Sequence, residues 1–145
     1  MFKTIVLALD GSEASSAAVP ATAELAKRDG AKVVVVHVEE HMVGRGGGGP
    51  VHLDEDELQA TVRKQAEDLS AQGIETEVIV RSTLLGGPAL VIAEIADEVG
   101  ADLIVAGTRG HSPLKGLLLG SVTERLLHVA HRPVLVVPAD GKAGS

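Results

Sequence analysis

The sequence predicts an α/β fold: an open, doubly wound, five-stranded parallel sheet with helices on both faces, in the manner of Rossmann-like proteins. Five short runs rich in β-branched residues recur along the chain, and stretches with helical periodicity lie between them. Most of the runs are continuously apolar, as strands covered on both faces should be. Parallel neighbours need a crossover helix, so this alternation favours right-handed βαβ units.

The predicted strands follow one another along the whole chain. They are Thr4 to Leu9, Lys32 to Val38, Thr76 to Val80, Leu103 to Ala106 and Val134 to Val137. Helical spacing of apolar residues predicts a first helix from Glu13 to Asp29, in which Pro20 should cause a kink or a delayed start. Later helices are predicted with Asp54 as a cap, with Pro88 in the first turn, and around Val122. The glycine-rich stretch from Glu39 to Leu53 is predicted as a loop.

Size and charge limit the classes of function. With 145 residues the chain is expected to form one domain, residues 1–145. The net charge is -7 and Phe2 is the only aromatic residue, which argues against binding nucleic acid through phosphate contacts or base stacking. There is no cysteine, as suits a reducing compartment. The apolar stretch from Ile5 to Leu9 is too short for a signal-peptide core or a membrane span, so a cytoplasmic protein without a membrane partner is expected.

Two glycine-containing segments point to phosphate binding. Gly107-Thr108-Arg109-Gly110 follows a predicted strand, and Gly120-Ser121-Val122-Thr123 opens a predicted helix. Free backbone amides and the positive end of a helix dipole suit a phosphate, and the hydroxyls of Ser121 and Thr123 are further donors. The alternative is that the glycines only make turns and Ser121 only caps the helix.

These segments resemble a known signature. Gly107, Gly110, Gly120 and Ser121 form the pattern G-x2-G-x9-G-[ST], which resembles the C-terminal motif of nucleotide-binding members of the universal stress protein family. The opening FKTIVLALDGSEAS and the run AKVVVVHV resemble the first two strands of that family. The resemblance implies a sheet ordered 3-2-1-4-5 and frequent homodimers. It also implies ATP, or ADP, AMP or cyclic AMP, as ligand, with Mg²⁺ as a candidate companion of the nucleotide.

The resemblance also implies which residues line the nucleotide site. They are Leu9, Asp10, Val38, Ala106, Gly107, Arg109, Gly110, Gly120, Ser121, Val122 and Thr123. Val38 would present backbone groups to the adenine edge. Asp10 has its own argument, because it ends a strand where the winding of the sheet is expected to reverse, and its carboxylate can accept from a ribose hydroxyl or the adenine amino group. The alternative for Asp10 is an Asp turn that caps the first helix.

Other patterns carry less weight. Gly44, Gly46 and Gly49 match G-x-G-x-x-G but lack the strand before and the helix after that the motif requires. His128 and His131 lack an evident third metal ligand, so no metal site is predicted. His37 is expected to make structural hydrogen bonds. Arg109 and Lys115 either neutralise phosphate charge or are solvated, and the sequence favours neither.

We therefore expect a nucleotide-binding module that acts in stress response or regulation, with no catalytic residue assigned. The alternatives are a slow ATP hydrolase, and a cyclic-AMP-binding or chaperone-like dimer in which the nucleotide site is not essential. No P-loop pattern G-x4-G-K-[ST] is present. A homodimer is expected through Val134 to Val137, because this apolar run should form an uncharged edge strand.

Overall fold

The computed structural model describes residues 1–40, 54–83, 87–108 and 119–139. The strands are β1 (Thr4–Ala8), β2 (Lys32–Glu40), β3 (Thr76–Thr83), β4 (Leu103–Gly107) and β5 (Val134–Val137). The helices are α1 (Glu13–Ser16), α2 (Ala18–Asp29), α3 (Glu55–Ala71), α4 (Pro88–Glu98) and α5 (Ser121–Val129). In these ranges no helix is long and apolar enough to cross a membrane.

The strands form one parallel sheet in the order β3-β2-β1-β4-β5. The chain winds from β1 to β2 and β3 in one direction and then returns to add β4 and β5 on the other side of β1. This arrangement confirms the predicted fold class and strand order. It also places the winding reversal between β1 and β4.

Two cores cover the sheet, one on each face. Alternate residues of β1 face opposite sides, so Ile5 and Leu7 pack with α2 and α3 while Val6 packs with α4 and α5. Ile5, Val6 and Leu7 are each 0% exposed, as a central strand covered on both faces must be. The continuous apolar runs that predicted parallel strands are thus explained by burial on both faces.

Pro20 acts as the sequence predicts. The helical segment is interrupted at Ala17, and α2 begins at Ala18. Pro20 is therefore the third residue of α2, where a backbone amide has no acceptor within the helix and its loss costs little. Ser12 caps the short helix α1, and its side chain accepts from the Ser15 amide.

The strand ends differ from the prediction. β2 continues to Glu40, so Glu39 belongs to a strand and not to the predicted loop, and β3 continues to Thr83. Beyond the apolar core the two strands go on pairing through their backbones, and Ser82 Oγ donates to Glu39 Oε1 over 3.2 Å. β1 is one residue shorter than predicted, and β4 is one residue longer because Gly107 pairs with Val137.

Two aspartates hold the start of the chain against the sheet and should make stability depend on acid. The Phe2 amide lowers the pKa of Asp29, and the amides of Thr4 and Lys3 lower the pKa of Asp102. A carboxyl whose pKa is lower in the folded state stabilises the fold above its unfolded pKa, and this contribution is lost as the pH falls through the folded pKa.

We therefore expect the thermal unfolding midpoint to fall as the pH is lowered from about 5 to about 2, and Asp29→Asn with Asp102→Asn to flatten that dependence. Circular dichroism melts across this pH series measure it. Asp68→Asn, at an exposed position of α3, is the matched control. An equally steep dependence in the double variant would contradict the assignment.

Candidate functional site

The carboxyl ends of β1 and β4 meet at one edge of the sheet. Leu7 is in register with Val105, so Leu9 and Asp10, which directly follow β1, come close to Gly107 at the end of β4. Leu9 is buried, and its amide donates to the Val36 carbonyl over 3.0 Å, which ties the end of β1 to β2. In open α/β sheets this edge, where the winding reverses, is where ligands bind.

The two glycine-containing segments of the predicted phosphate loop close on each other. The Gly120 amide donates to the Thr108 carbonyl over 2.7 Å, and Thr123 Oγ1 donates to the Gly107 carbonyl over 2.7 Å. The Thr108 amide in turn donates to the Val137 carbonyl of β5 over 3.0 Å. The end of β4 and the beginning of α5 are therefore one unit, as the spaced glycine motif requires. Arg109, Gly110 and Lys115 lie outside the described residues.

The N-terminus of α5 has the geometry of an anion site. Gly120 is the N-cap, at φ −68° and ψ 161°, and no side chain caps the helix. The alternative in which Ser121 is the cap is therefore wrong, because Ser121 is the first residue of the helix. The Glu124 amide makes the bond to the Gly120 carbonyl, over 2.9 Å, so the amides of residues 121–123 precede the helical ladder. Such amides, with the helix dipole, favour a negative charge.

Two of the expected donors have other partners. Thr123 is buried, and its hydroxyl hydrogen goes to the Gly107 carbonyl, so it holds the loop ends together instead of being offered to a phosphate. The Gly120 amide is likewise directed at Thr108. Among the described residues, the three amides of residues 121–123 and the hydroxyl of Ser121, which is exposed, are the donors at this helix end.

Asp10 forms the predicted Asp turn. Its Oδ1 accepts from the Ser12 amide over 2.9 Å, and its own amide donates to Ser15 Oγ over 3.4 Å. The turn runs from Asp10 to Ser12, and within it Ser12 is the residue that caps α1. A carboxylate has roughly four acceptor positions on two oxygens, so the turn and a ligand contact are compatible.

Val38 and Ala106 lie near the same edge with their side chains in the core between the sheet and helices α4 and α5. An open cleft of about 430 Å³ lies between the beginning of α4 and one side of α5. Its lining includes Pro88, Ser121, Val122, Arg125 and His128. Ser121 and Val122, at the beginning of α5, line this cleft, whereas Asp10, Val38 and Ala106 do not.

Comparison with known proteins identifies the family of this chain. Residues 1–138 match the universal stress protein family. The chain belongs to this family. Among its relatives, universal stress protein YxiE of Bacillus subtilis is 34% identical over 150 aligned residues, which cover 94% of this chain and 99% of the relative.

Two solved structures of universal stress proteins with bound ligands are similar to this one. One is a complex with cAMP, with a TM-score of 0.66 and 28% identity, covering 96% of this chain and 98% of that one. The other is the Archaeoglobus fulgidus protein in complex with dAMP, with a TM-score of 0.66 and 29% identity, covering 94% of this chain and 97% of that one.

In this universal stress protein, His37 makes the structural hydrogen bonds that the sequence suggested. Its Nδ1 lies 3.0 Å from the Leu9 carbonyl oxygen, and its Nε2 lies 2.6 Å from Glu55 Oε2. Sequence reasoning missed Glu55. The sequence offered one indication that Glu55 begins a helix, which is its position directly after Asp54. Asp54 does cap α3, because its side chain accepts from the Asp56 amide.

Two further histidines lie among the described residues, and their surroundings differ. His128 lies exposed in the last turn of α5, whereas His131 Nδ1 lies 3.2 Å from Asp97 Oδ2. The His131 hydrogen bond, with a further contribution from Arg132, lowers the pKa of Asp97. In the part of the chain that the structure describes, no three histidine, aspartate or glutamate side chains are grouped as metal ligands. The G-x-G-x-x-G match at Gly44, Gly46 and Gly49 lies outside the described residues.

Proposed function

We propose that this universal stress protein binds an adenine nucleotide, with ATP as the foremost candidate, and that binding serves a regulatory role in the stress response. The observation that carries the proposal is the closed unit formed by residues 107–108 and 120–123 at the winding reversal of the sheet. This unit joins the uncapped N-terminus of α5 to the end of β4, the strand that pairs with β1. The carboxyl-terminal edge of such a sheet accommodates ligands that combine an anionic group with an attached polar ring system.

The bound nucleotides of the two related structures support the adenine part. The cAMP and dAMP complexes share an adenine base but differ in sugar and phosphate. An adenine site with tolerance for the phosphate arrangement accounts for both. In this chain the backbone of Val38 and the carboxylate of Asp10 are the proposed partners of the adenine and ribose, with Leu9 and Ala106 as the adjoining walls.

The proposed phosphate site consists of the amides of Ser121, Val122 and Thr123 with the Ser121 hydroxyl. Gly107, Gly110 and Gly120 allow close approach of the main chain, and Arg109 is a candidate for neutralising phosphate charge. Mg²⁺ belongs to the same proposal as an ion carried by the phosphates of the nucleotide.

We expect a cytoplasmic protein, as the sequence suggested.

The decisive measurement begins with mass spectrometry of the nucleotide released from purified, denatured protein. Calorimetric titrations with ATP, AMP, cyclic AMP and GTP, with and without Mg²⁺, follow. We expect adenine nucleotides to bind and GTP to bind at least about tenfold more weakly, because the base edge is read by hydrogen bonds that guanine cannot reproduce. Absence of binding by all three adenine nucleotides would contradict the proposal. Measuring phosphate release from ATP tests the alternative function, a slow ATP hydrolase.

We also propose a homodimer through β5. This strand ends the sheet, its four residues carry no charge, and Leu135 is 37% exposed. By contrast β3, at the other edge, carries charged residues such as Glu77 and Arg81, which discourage pairing between edges. A two-fold copy of β5 can pair antiparallel and cover the apolar side chains of both subunits.

A further inference from the structure

His37 lies in a row of core residues on β2. Val33 and Val35 of this strand pack with α2 and α3, and strand alternation places the His37 imidazole on the same face, where it is 2% exposed. A buried imidazole must have partners for both ring nitrogens. It finds them in the Leu9 carbonyl and in Glu55, the first residue of α3. His37 therefore connects the end of β1 with the beginning of α3.

The chemistry of the two contacts makes this connection strong. The Leu9 carbonyl only accepts, so Nδ1 is the ring nitrogen that donates to it, and the Glu55 carboxyl group is the partner of Nε2. Nε2 and Glu55 Oε2 lie 2.6 Å apart, which is a short hydrogen bond. Glu55 Oε2 also accepts from Gln59 Nε2 over 3.1 Å, which orients the carboxylate within the first turn of α3.

A second, independent contact joins α3 to the residue on the other side of Asp10. Gly11 has φ 85°, and a Cβ added there would lie 2.8 Å from Leu58 Cδ2 and 3.0 Å from Leu58 Cα. The backbone of Gly11 therefore lies directly against α3. The residues on both sides of Asp10 are therefore held against α3. Leu9 is linked to α3 by the hydrogen bonds of His37 with the Leu9 carbonyl and Glu55, and Gly11 packs on Leu58.

We propose that Glu55 and His37 are positioning residues for the nucleotide, which hold Leu9 and Gly11 so that the Asp10 carboxylate is presented to the ligand in a fixed orientation. This inference rests on the proposed nucleotide-binding function. A site that is ordered before the ligand arrives binds more tightly than one that the ligand must order. Loss of the hydrogen bond between His37 and Glu55, here called the bridge, would therefore weaken binding, although in this proposal neither side chain touches the nucleotide.

Glu55 offers the cleaner test, because its side chain is 28% exposed whereas that of His37 is 2% exposed. We expect Glu55→Ala to weaken ATP binding about fivefold to tenfold, the effect of one lost hydrogen bond on an otherwise intact site. Glu55→Gln should restore the affinity to within about twofold, since its amide can donate to the Nε2 of a neutral imidazole. Glu57→Ala removes an exposed carboxylate from the same helical turn and serves as the matched control.

A second readout needs no nucleotide. In Glu55→Ala, but not in Glu57→Ala, hydrogen exchange at the amides of Asp10 and Gly11 should accelerate, as expected for a segment that has lost its anchor. If Glu55→Ala fails to fold, Glu55→Asp gives the same comparison, because it keeps the charge but withdraws it by one methylene.

The outcomes are distinguishable. Failure of the wild-type protein to bind any adenine nucleotide would overturn the proposed function and this inference with it. If the wild type binds, unchanged ATP affinity in a folded Glu55→Ala variant would overturn the positioning role alone. Weaker binding that Glu55→Gln does not restore would also overturn it, because the loss would then follow from the charge and not from the bridge.

Discussion

Gly120→Val is expected to weaken ATP binding by more than about tenfold while the protein remains folded. The added side chain would occupy the space in which the main chain must approach a phosphate. Gly120 has φ −68° and ψ 161°, a conformation open to any residue, so the substitution places no strain on the backbone dihedrals. The substitution adds a branched side chain directly before the three backbone amides that begin α5. Titration calorimetry with ATP measures the effect.

Adenosine is the matched ligand for this experiment, because it lacks the phosphates. If Gly120 lies against the phosphates, the variant should lose much less affinity for adenosine than for ATP. Gly120→Ala, with a single added carbon, should give an intermediate loss. Thermal unfolding midpoints show whether each variant is folded. A folded Gly120→Val variant with wild-type affinity for ATP would remove α5 from the proposed site.

The fold was predictable because its signals are local. Each strand of the core is a run of apolar, β-branched residues, and the structure confirms Asp54 and Pro88 as the start signals of α3 and α4. The ends of β2 and β3 were not predictable in the same way. Glu39 and Ser82 lie beyond the core and are held by backbone pairing with the neighbouring strand, which leaves no mark in the hydrophobic pattern.

The candidate site was predictable in position but not in the role of each donor. The glycine spacing indicated that Gly107 and Gly120 belong to one site, and the structure brings the segments on which they lie together. The direction of the Thr123 hydroxyl depends on a carbonyl 16 residues away, at the end of β4. Glu55 meets His37 across 18 residues and only through packing of α3 on the sheet. Such contacts arise from tertiary structure, and no short pattern encodes them.

Leu135→Lys is expected to convert the proposed homodimer into a soluble monomer. Leu135 is the exposed residue in the middle of the terminal strand, so a lysine there can be solvated in the isolated subunit. In a dimer paired along β5, two lysines would face each other close to the two-fold axis and lose solvent, which is strongly unfavourable for like charges. Sedimentation velocity at micromolar concentration, with and without ATP, measures the change.

Leu90→Lys is the matched control, because Leu90 is a leucine of similar exposure, 41% against 37%, on α4 and not on the terminal strand. It adds the same charge to the surface and should leave the dimer intact. A wild-type protein that sediments as a monomer would refute the dimer itself. A dimer that survives Leu135→Lys but dissociates in Leu90→Lys would place the interface on the helices instead, and β5 would then need another cover for its apolar edge.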